Sequence, residues 1–120
     1  TSDILKSCAD VMLELAKPCS VNTSDDKPLI DIVGTGGDGK DAFNVSTAAG
    51  FIVAACGCRV VKHGNRSSSG SVGSADFLEA LGINIHLDSD KVSSIAEECD
   101  FAFLFAPTFH TAMKNVASIR

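Results

Sequence analysis

The chain contains neither tryptophan nor tyrosine, and it has no excess of basic residues. Without those two aromatic residues, no platform for stacking nucleic-acid bases is expected. Ten Lys and Arg stand against 15 Asp and Glu, which gives a formal net charge of −5 at pH 7. A general nucleic-acid surface needs a basic excess, so that class of protein is excluded. A few well-placed cations could still bind a small anion.

Long apolar runs and metal-binding cysteine patterns are also missing. The longest apolar run, 48–58, is well short of the ~20 residues that span a bilayer, and no basic-then-apolar leader opens the chain. Cys56 and Cys58 are too close together for a CxxC pair. We therefore expect a soluble, cytoplasmic protein without a membrane partner. Its cysteines should be buried free thiols in a reducing compartment: Cys8, Cys19, Cys56, Cys58 and Cys99.

Apolar spacing predicts helices and strands in alternation. Helical spacing runs from Ile4 to Ala16, and the polar segment 20–28 reads as a connector. Short apolar runs predict strands at 29–33, 58–64, 83–87 and 101–105. Further helices are predicted at 46–57, 75–82 and 88–100 and from about Thr108 to Ile119. Near-continuous apolar strands that alternate with helices predict the α/β class, a parallel sheet with flanking helices.

Ligands bind such sheets at the carboxyl ends of the strands, so the segments after the strands are the ones that carry chemistry. These segments are 34–44, 62–74, 88–90 and 107–110. The first of them contains G-x-G-x-x-G at Gly34, Gly36 and Gly39, which is the spelling of a dinucleotide-binding loop.

Two features disfavour a dinucleotide. The segment KDAFN separates Gly39 from the following helix, and the second strand ends in Lys62 and His63, where an acidic residue is expected. No Gly-Lys-Ser/Thr sequence closes the loop as in a Walker A motif. The remaining interpretation is a glycine turn whose backbone N–H groups approach a polyanion. Asp38 could equally bond turn amides or orient ligand hydroxyls or metal-bound water.

Two further segments have an anion-binding composition. Asn44 to Thr47 (NVST) is what any helix N-terminus prefers, yet such a terminus is itself an anion site; the capping interpretation is favoured for this segment alone. KHGNR combines the point charge of Lys62 with the planar guanidinium of Arg66. The hydroxyl- and glycine-rich stretch SSSGSVGS follows it, so we favour a phosphate-binding loop over a solvated basic turn.

The motifs GTGGDG, FNVSTA, KHGNR and SADFLEALG, in this order and spacing, resemble the anthranilate phosphoribosyltransferases of tryptophan biosynthesis. The resemblance runs from about Leu29 to Arg120. It implies that 1–20 is a remnant of an N-terminal helical domain. Residues 28–120 would be an incomplete phosphoribosyl-pyrophosphate-binding α/β domain of the nucleoside phosphorylase and phosphoribosyltransferase type. It also implies a homodimeric enzyme that, with Mg²⁺, transfers phosphoribose from phosphoribosyl pyrophosphate to the amine of anthranilate.

The resemblance assigns site residues as well. Lys62 and Arg66 would be catalytic, because they neutralise charge on the leaving pyrophosphate. Ser46 would be a magnesium ligand, and Gly34, Asn65 and Arg120 would bind anthranilate. The implied contacts to phosphoribosyl pyrophosphate are Gly34, Gly37, Asp38, Asn44, Val45, Ser46, Thr47, Lys62, His63, Gly64, Asn65, Arg66, Ser67, Ser68, Ser69, Gly70 and Ser74. His63 and His110 are candidates for a general base, although the reaction does not obviously require one.

The chain departs from the family pattern at two places. Ala42 stands where the family usually has a hydroxyl residue. The chain also ends at Arg120, before an adjacent Asp-Glu pair that holds magnesium in the family, so we expect a fragment with an incomplete metal site. Two alternatives stay open: an enzyme like the pyrimidine nucleoside phosphorylases, and a non-catalytic phosphate- or nucleotide-binding module.

Overall fold

The computed structural model describes residues 1–23, 26–34, 43–67 and 72–115. Three strands and five α-helices are found in these ranges, followed by a short 3₁₀-helix. In chain order they are α1 (Ser2–Glu14), β1 (Leu29–Ile30), α2 (Val45–Ala55), β2 (Arg59–Gly64), α3 (Ser74–Ala80), α4 (Ser89–Cys99), β3 (Phe101–Phe105), α5 (Ala106–Phe109) and the 3₁₀-helix Thr111–Asn115.

The strands form one parallel sheet in the order β1-β2-β3. Leu29 is paired with Arg59, and Val60 is paired with Phe101. All three strands therefore point the same way, and their carboxyl ends share one edge. We call this the carboxyl edge, formed by residues 31–34, 62–67 and 105–110. The predicted α/β class is confirmed.

Side chains of β2 and β3 alternate between the two faces of the sheet, as the period of a strand requires. On one face Val61 and Ala102 pack with Val92 and Ala96 of α4 and with Phe109. On the other face Phe103 and Phe105 pack with Ala75 and Leu78 of α3 and with Ile85. Helix α2 also covers this second face, where Phe51 stacks on Phe101 with the ring centroids 4.3 Å apart. The result is a helix–sheet–helix sandwich.

The connector before β1 is fastened to α4 and to the start of β2. Arg59 is buried, and its guanidinium donates to the carbonyl of Asn22 at 2.5 Å and to that of Ala96 at 3.1 Å. Ser89 and Ser93 of α4 donate to the carbonyls of Pro18 and Ser20. These bonds hold the described residues before β1 against α4 and the start of β2.

The first strand is shorter than the predicted 29–33, and the reason is local. After Ile30 the carboxylate of Asp31, rather than a backbone carbonyl, accepts the amide hydrogen of His63 at 3.1 Å. The carbonyl of Ile32 accepts from the ammonium of Lys62. Side chains thus replace the ladder bonds at the carboxyl edge, and regular pairing stops.

The strand predicted at 83–87 is wrong. Helix α3 ends before Gly82, whose φ of +79° is the left-handed turn predicted from its place as a helix stop. The next residues are irregular: the side chain of Asn84 accepts the amide hydrogen of His86 at 2.9 Å. The strand signal came from the alternating apolar residues Ile83, Ile85 and Leu87, of which Ile85 is buried and Leu87 is partly buried against the core. With this strand absent from the described ranges, β2 pairs directly with β3.

The helix predicted from about Thr108 to Ile119 is also wrong as a single element. Pro107 lies in the first turn of α5, a favoured position for proline, and α5 ends at Phe109. His110 leaves the helical conformation with φ −107° and ψ 62°, and its ring packs edge-on against His63. The chain then forms the 3₁₀-helix, and the predicted end of the helix lies outside the described residues.

The expectation for the cysteines was half right. All five are free, but Cys8, Cys56 and Cys99 are exposed and Cys19 and Cys58 are half-buried. Cys56 and Cys99 lie at the ends of α2 and α4, where the helices leave the sheet. No helix in the described ranges has the length and apolar character to cross a membrane.

Leu78 and Leu81 give a test of this core. Leu78 is 0% exposed beneath the sheet, whereas Leu81, at the end of the same helix, is 57% exposed. Leu78→Ala should lower the free energy of unfolding by about 2–5 kcal/mol, because it leaves a cavity. The control Leu81→Ala should change it by less than about 0.5 kcal/mol. Urea denaturation followed by circular dichroism measures both, and equal losses would contradict the described packing.

Candidate active site

Three of the four segments singled out in the sequence meet at the carboxyl edge. The first turn of α2 lies against Lys62, Asn44 contacts the carbonyl of Val72 at 3.4 Å, and His110 lies against His63. The fourth segment, 88–90, does not join them. Asp88 caps α4 by accepting from the amide of Lys91, and Ser89 binds the connector, so this segment has a structural role.

Lys62 is the buried cation of the site. Its position two residues after Val60 puts both side chains on the face covered by α2, and Lys62 is only 1% exposed. The ammonium donates to the carbonyl of Ile32 and, at 3.1 Å, to the hydroxyl of Ser46. Burial lowers the pKa of Lys62, and the nearby carboxylate of Asp31 opposes this shift. The charge is thus held between β1 and the start of α2.

The N-terminus of α2 presents polar groups beside this ammonium. Asn44 is the N-cap residue, as its position predicted, but its side chain makes no capping bond and reaches Val72 instead. Thr47 is fully buried, and its hydroxyl has no hydrogen-bond partner among the described residues. The capping interpretation alone therefore does not account for these side chains.

A groove of about 750 Å³ adjoins β2 and α5. Its polar lining includes the amide of Asn65 and the imidazoles of His63 and His110. The centroids of the two imidazole rings are 5.0 Å apart, and the ring planes are perpendicular. Its remaining lining residues are Met12, Ala106, Pro107, Met113 and Lys114. Such a groove suits a flat, mostly apolar ligand with a few polar groups.

The surroundings of His63 lower the pKa of its imidazole. Burial, followed by the neighbouring ring of His110, lowers its pKa below the ordinary 6.5, while Asp31 opposes the shift. Its Nε2 is buried and has no hydrogen-bond partner within the described ranges.

The chain turns sharply after β2. A Cβ atom at Gly64 would collide with the hydroxyl of Ser74 and would lie 2.8 Å from the ring of Phe103, so the turn needs glycine here. The carbonyl of Asn65 accepts from the Ser74 hydroxyl and from the Ala75 amide, both at 3.2 Å. The turn therefore brings Asn65 and Ser74 together.

Arg66 is occupied by acidic neighbours. Its guanidinium donates twice to the carboxylate of Glu79, at 2.5 and 2.9 Å, and once to that of Asp76, at 2.9 Å. It also lies 5.6 Å from the centre of the Phe105 ring. The hydrogen bonds that Arg66 donates to Glu79 and then to Asp76 raise its pKa. One cation shared by two carboxylates adds no net positive charge to the site.

Some predicted site residues take no part in these contacts. Gly34 and Val45 are exposed, and no atom lies within 4 Å of where a Cβ of Gly34 would be. The following residues, among them the departure at Ala42, lie outside the described residues: Gly37, Asp38, Ala42, Ser68, Ser69, Gly70 and Arg120.

The described residues do not by themselves fit a magnesium ion. No group of three or more His, Cys, Asp or Glu lies close enough together in the described ranges to hold a metal. The hydroxyl of Ser46 accepts from the Lys62 ammonium, and a cation beside a would-be ligand disfavours a second cation. Mg²⁺ prefers carboxylate and phosphate oxygens. We therefore assign no chemical step to the metal.

Comparison with known proteins identifies the family of the chain. A family model described as "Glycosyl transferase family, a/b domain" matches residues 26–120. The chain belongs to this family. Within it, the chain is similar to anthranilate phosphoribosyltransferases, which confirms the resemblance found in the sequence. The enzyme of Burkholderia orbicola is 51% identical over 116 residues, and that of Synechococcus elongatus is 52% identical over 117 residues.

The chain is also similar in fold to solved structures of anthranilate phosphoribosyltransferases. The anthranilate phosphoribosyltransferase of Thermus thermophilus matches 93% of this chain with a TM-score of 0.84 and 50% identity. The Saccharomyces cerevisiae enzyme, in complex with phosphoribosyl pyrophosphate and Mg, matches 93% with a TM-score of 0.82 and 34% identity. The chain spans about a third of the length of the curated relatives, 33%, and 33% and 31% of these two structures.

Sequence reasoning missed three acidic residues that shape the site. Asp31 follows β1 directly and binds the backbone of His63; it lay inside the predicted strand 29–33, so no sequence signal marked it as a site residue. Asp76 and Glu79 bind Arg66 from α3. Their helical spacing marked them only as part of a polar face, and no sequence signal linked them to KHGNR.

The lowered pKa of His63 predicts how stability changes with pH. In the unfolded chain His63 takes up a proton as the pH falls through about 6.5, whereas in the folded chain it resists until a lower pH. The unfolded state therefore binds more protons in this window, and folding stability is lost as the pH falls through it. Wild-type stability should decline between about pH 7.5 and 5, and His63→Gln should reduce that slope. Urea titrations across this range measure it; an unchanged slope would contradict the assignment.

Proposed function

We propose that this chain supplies the phosphoribosyl-binding part of an enzyme of tryptophan biosynthesis. The reaction joins the phosphoribosyl group of phosphoribosyl pyrophosphate to the amine of anthranilate and releases pyrophosphate. The buried Lys62 ammonium beside the first turn of α2 carries the proposal. The names of the similar proteins and the ligands in the yeast structure support it.

Lys62 and α2 suit the pyrophosphate end of the substrate. Negative charge grows on pyrophosphate as its bond to the anomeric carbon breaks, and a fixed cation in a water-poor site stabilises that charge. The N-terminus of α2 adds the positive end of its dipole, while the amides of Val45 and Thr47 already donate to the carbonyls of Phe43 and Asn44. The hydroxyls of Ser46 and Thr47 provide further hydrogen-bond partners on the same turn.

The groove beside β2 suits anthranilate. Its apolar lining fits a benzene ring, and His63, Asn65 and His110 offer polar groups for an amine and a carboxylate. His63 lines the groove and follows Lys62 in β2, which supports two neighbouring binding sites at the carboxyl edge. Gly34 and Arg120 remain predictions for this site.

The chemical step needs orientation more than a nucleophilic side chain. The anthranilate nitrogen forms a bond to the anomeric carbon, the carbon–oxygen bond to pyrophosphate breaks with its electron pair going to oxygen, and the nitrogen loses one proton. Holding the two reactants in line supplies much of the rate. His63, whose pKa is lowered by burial, is a candidate to accept that proton, as is His110.

The proposal gives Arg66 a different role from the one that the family resemblance implied. To bind pyrophosphate as predicted, its guanidinium would have to exchange Asp76 and Glu79 for the ligand. In the arrangement described it holds the KHGNR turn against α3, and Lys62, whose described hydrogen-bond acceptors are neutral, is the cation proposed for pyrophosphate.

Other properties follow from the family resemblance and remain proposals. These are a homodimer in the cytoplasm, magnesium bound with phosphoribosyl pyrophosphate, and the helical and α/β domains at 1–20 and 28–120. Ser46 would become a metal ligand only by giving up its bond from the Lys62 ammonium. We likewise propose that the protein binds neither nucleic acid nor membranes.

Replacing the Lys62 charge gives a direct test of binding. Lys62→Met keeps the length of the side chain but should weaken the affinity of the 120-residue chain for phosphoribosyl pyrophosphate by about tenfold or more, because a hydrogen bond to a charged group contributes about 1.5–3 kcal/mol. Calorimetric titration measures this, with circular dichroism to confirm folding. The matched control, Lys6→Met, removes a lysine from α1 and should leave affinity unchanged. Equal affinities for wild type and Lys62→Met would exclude the assignment.

Activity can be tested in a chimera. Residues 1–120 of this chain replace the matching third of the Thermus thermophilus enzyme, and loss of anthranilate fluorescence is followed with phosphoribosyl pyrophosphate present. We expect turnover that Lys62→Met abolishes. Cleavage of a pyrimidine nucleoside that requires inorganic phosphate would instead identify a nucleoside phosphorylase. Binding without turnover in a folded chimera would favour a non-catalytic module.

A further inference from the structure

The carboxylate of Asp76 binds three groups of the turn that follows β2. One oxygen, Oδ2, accepts the backbone amide of Ser67 at 3.1 Å and that of Gly73 at 2.8 Å. The other, Oδ1, accepts from the Arg66 guanidinium at 2.9 Å. Asp76 is the third residue of α3, so a rigid element carries the carboxylate.

The backbone is closely packed where these bonds meet. A Cβ atom at Gly73 would lie 2.5 Å from the carbonyl carbon of Arg66 and would also collide with the amide nitrogen of Ser67. The two backbone stretches are therefore in contact, and only glycine fits at position 73 without displacement. Asp76 bridges them on one oxygen.

Helix capping explains only one of the three bonds. An acidic residue at the third helical position commonly accepts the N-cap amide, which here is that of Gly73. The bonds to Ser67 and Arg66 join residues 9 and 10 positions away in the sequence, and no capping rule demands them. The amides of Ser67 and then Gly73 lower the pKa of Asp76, so the carboxylate stays ionised and its bonds are charge-assisted.

We propose that Asp76 is a positioning residue of the phosphoribosyl site. It holds the segment that continues from Lys62 to Ser67 in its turn, and it does so without touching the substrate. This inference rests on the proposed function, since the segment it positions is the proposed binding segment. Its consequence is that affinity for phosphoribosyl pyrophosphate depends on a carboxylate that faces the protein rather than the ligand.

Glu79 provides a comparison on the same helix. It binds the other side of the Arg66 guanidinium, and no backbone amide of the turn is among its described partners. Glu79→Gln therefore perturbs Arg66 and the 3.6 Å contact of Glu79 with His86, whereas Asp76→Ala removes one bond to Arg66 and the bonds to both amides. Asp76→Asn is the conservative variant: its amide oxygen can still accept from Ser67 and Gly73, while the negative charge is lost.

The experiment uses the 120-residue chain and two readouts. Amide hydrogen exchange by NMR reports the bonds of Ser67 and Gly73, and calorimetric titration with phosphoribosyl pyrophosphate reports affinity. For Asp76→Ala we expect faster exchange at both amides and an affinity lowered about tenfold or more. Asp76→Asn and Glu79→Gln should retain both properties within about threefold. Gly73→Ala, which keeps the carboxylate but forces the two backbone stretches apart, should reproduce the loss.

The outcomes separate this inference from the function on which it rests. Faster exchange in Asp76→Ala with unchanged affinity would overturn the positioning role and leave the proposed function intact. Slow exchange retained in Asp76→Ala would overturn the bridge itself. No binding by the folded wild-type chain would overturn the proposed binding function, and the positioning role with it. An equal loss in Asp76→Ala and Asp76→Asn would assign the effect to charge rather than to positioning.

Discussion

A buried lysine ammonium organises the carboxyl edge of this sheet. The described acceptors of Lys62, the carbonyl of Ile32 and the hydroxyl of Ser46, are both neutral. Taking an ammonium out of water costs several kcal/mol, which neutral oxygens repay only in part. The lowered pKa of Lys62 reflects that cost. A site that bears an incompletely compensated cation is suited to an anionic ligand.

The shape of the edge follows from the same residue. Lys62 binds the carbonyl of Ile32, just beyond the point where regular pairing of β1 ends. Because it also holds Ser46, the first turn of α2 faces the same point. Strand alternation puts Val61 on the opposite face, against α4, so the core and the site are built from adjacent residues of one strand.

The two cations of KHGNR have opposite surroundings, although the sequence presents them as a pair. Lys62 lies among neutral oxygens at the strand end, whereas Arg66 is shared by Asp76 and Glu79. The difference arises from geometry: Gly64 turns the chain, so that residues after it face α3 instead of α2. Lys62 thus provides positive charge at the carboxyl edge, and Arg66 stabilises the turn.

The sequence by itself determined the α/β class, the family and the approximate bounds of α1, α2, β2, α3, α4 and β3, because apolar periodicity and short glycine- and charge-rich motifs are local signals. It also placed Asn44 at a helix start and Lys62 at a strand end. The strand predicted at 83–87 was wrong, because the alternating apolar residues belong to an irregular segment in which Ile85 is buried. The long helix predicted from Thr108 was wrong, because the helix ends before His110, whose ring packs against His63. Only the tertiary structure decided that Arg66 binds Asp76 and Glu79, that His63 faces His110, and that one carboxylate bridges Ser67 and Gly73. Those contacts join residues distant in sequence, and their partners are chosen by how the helices pack on the sheet.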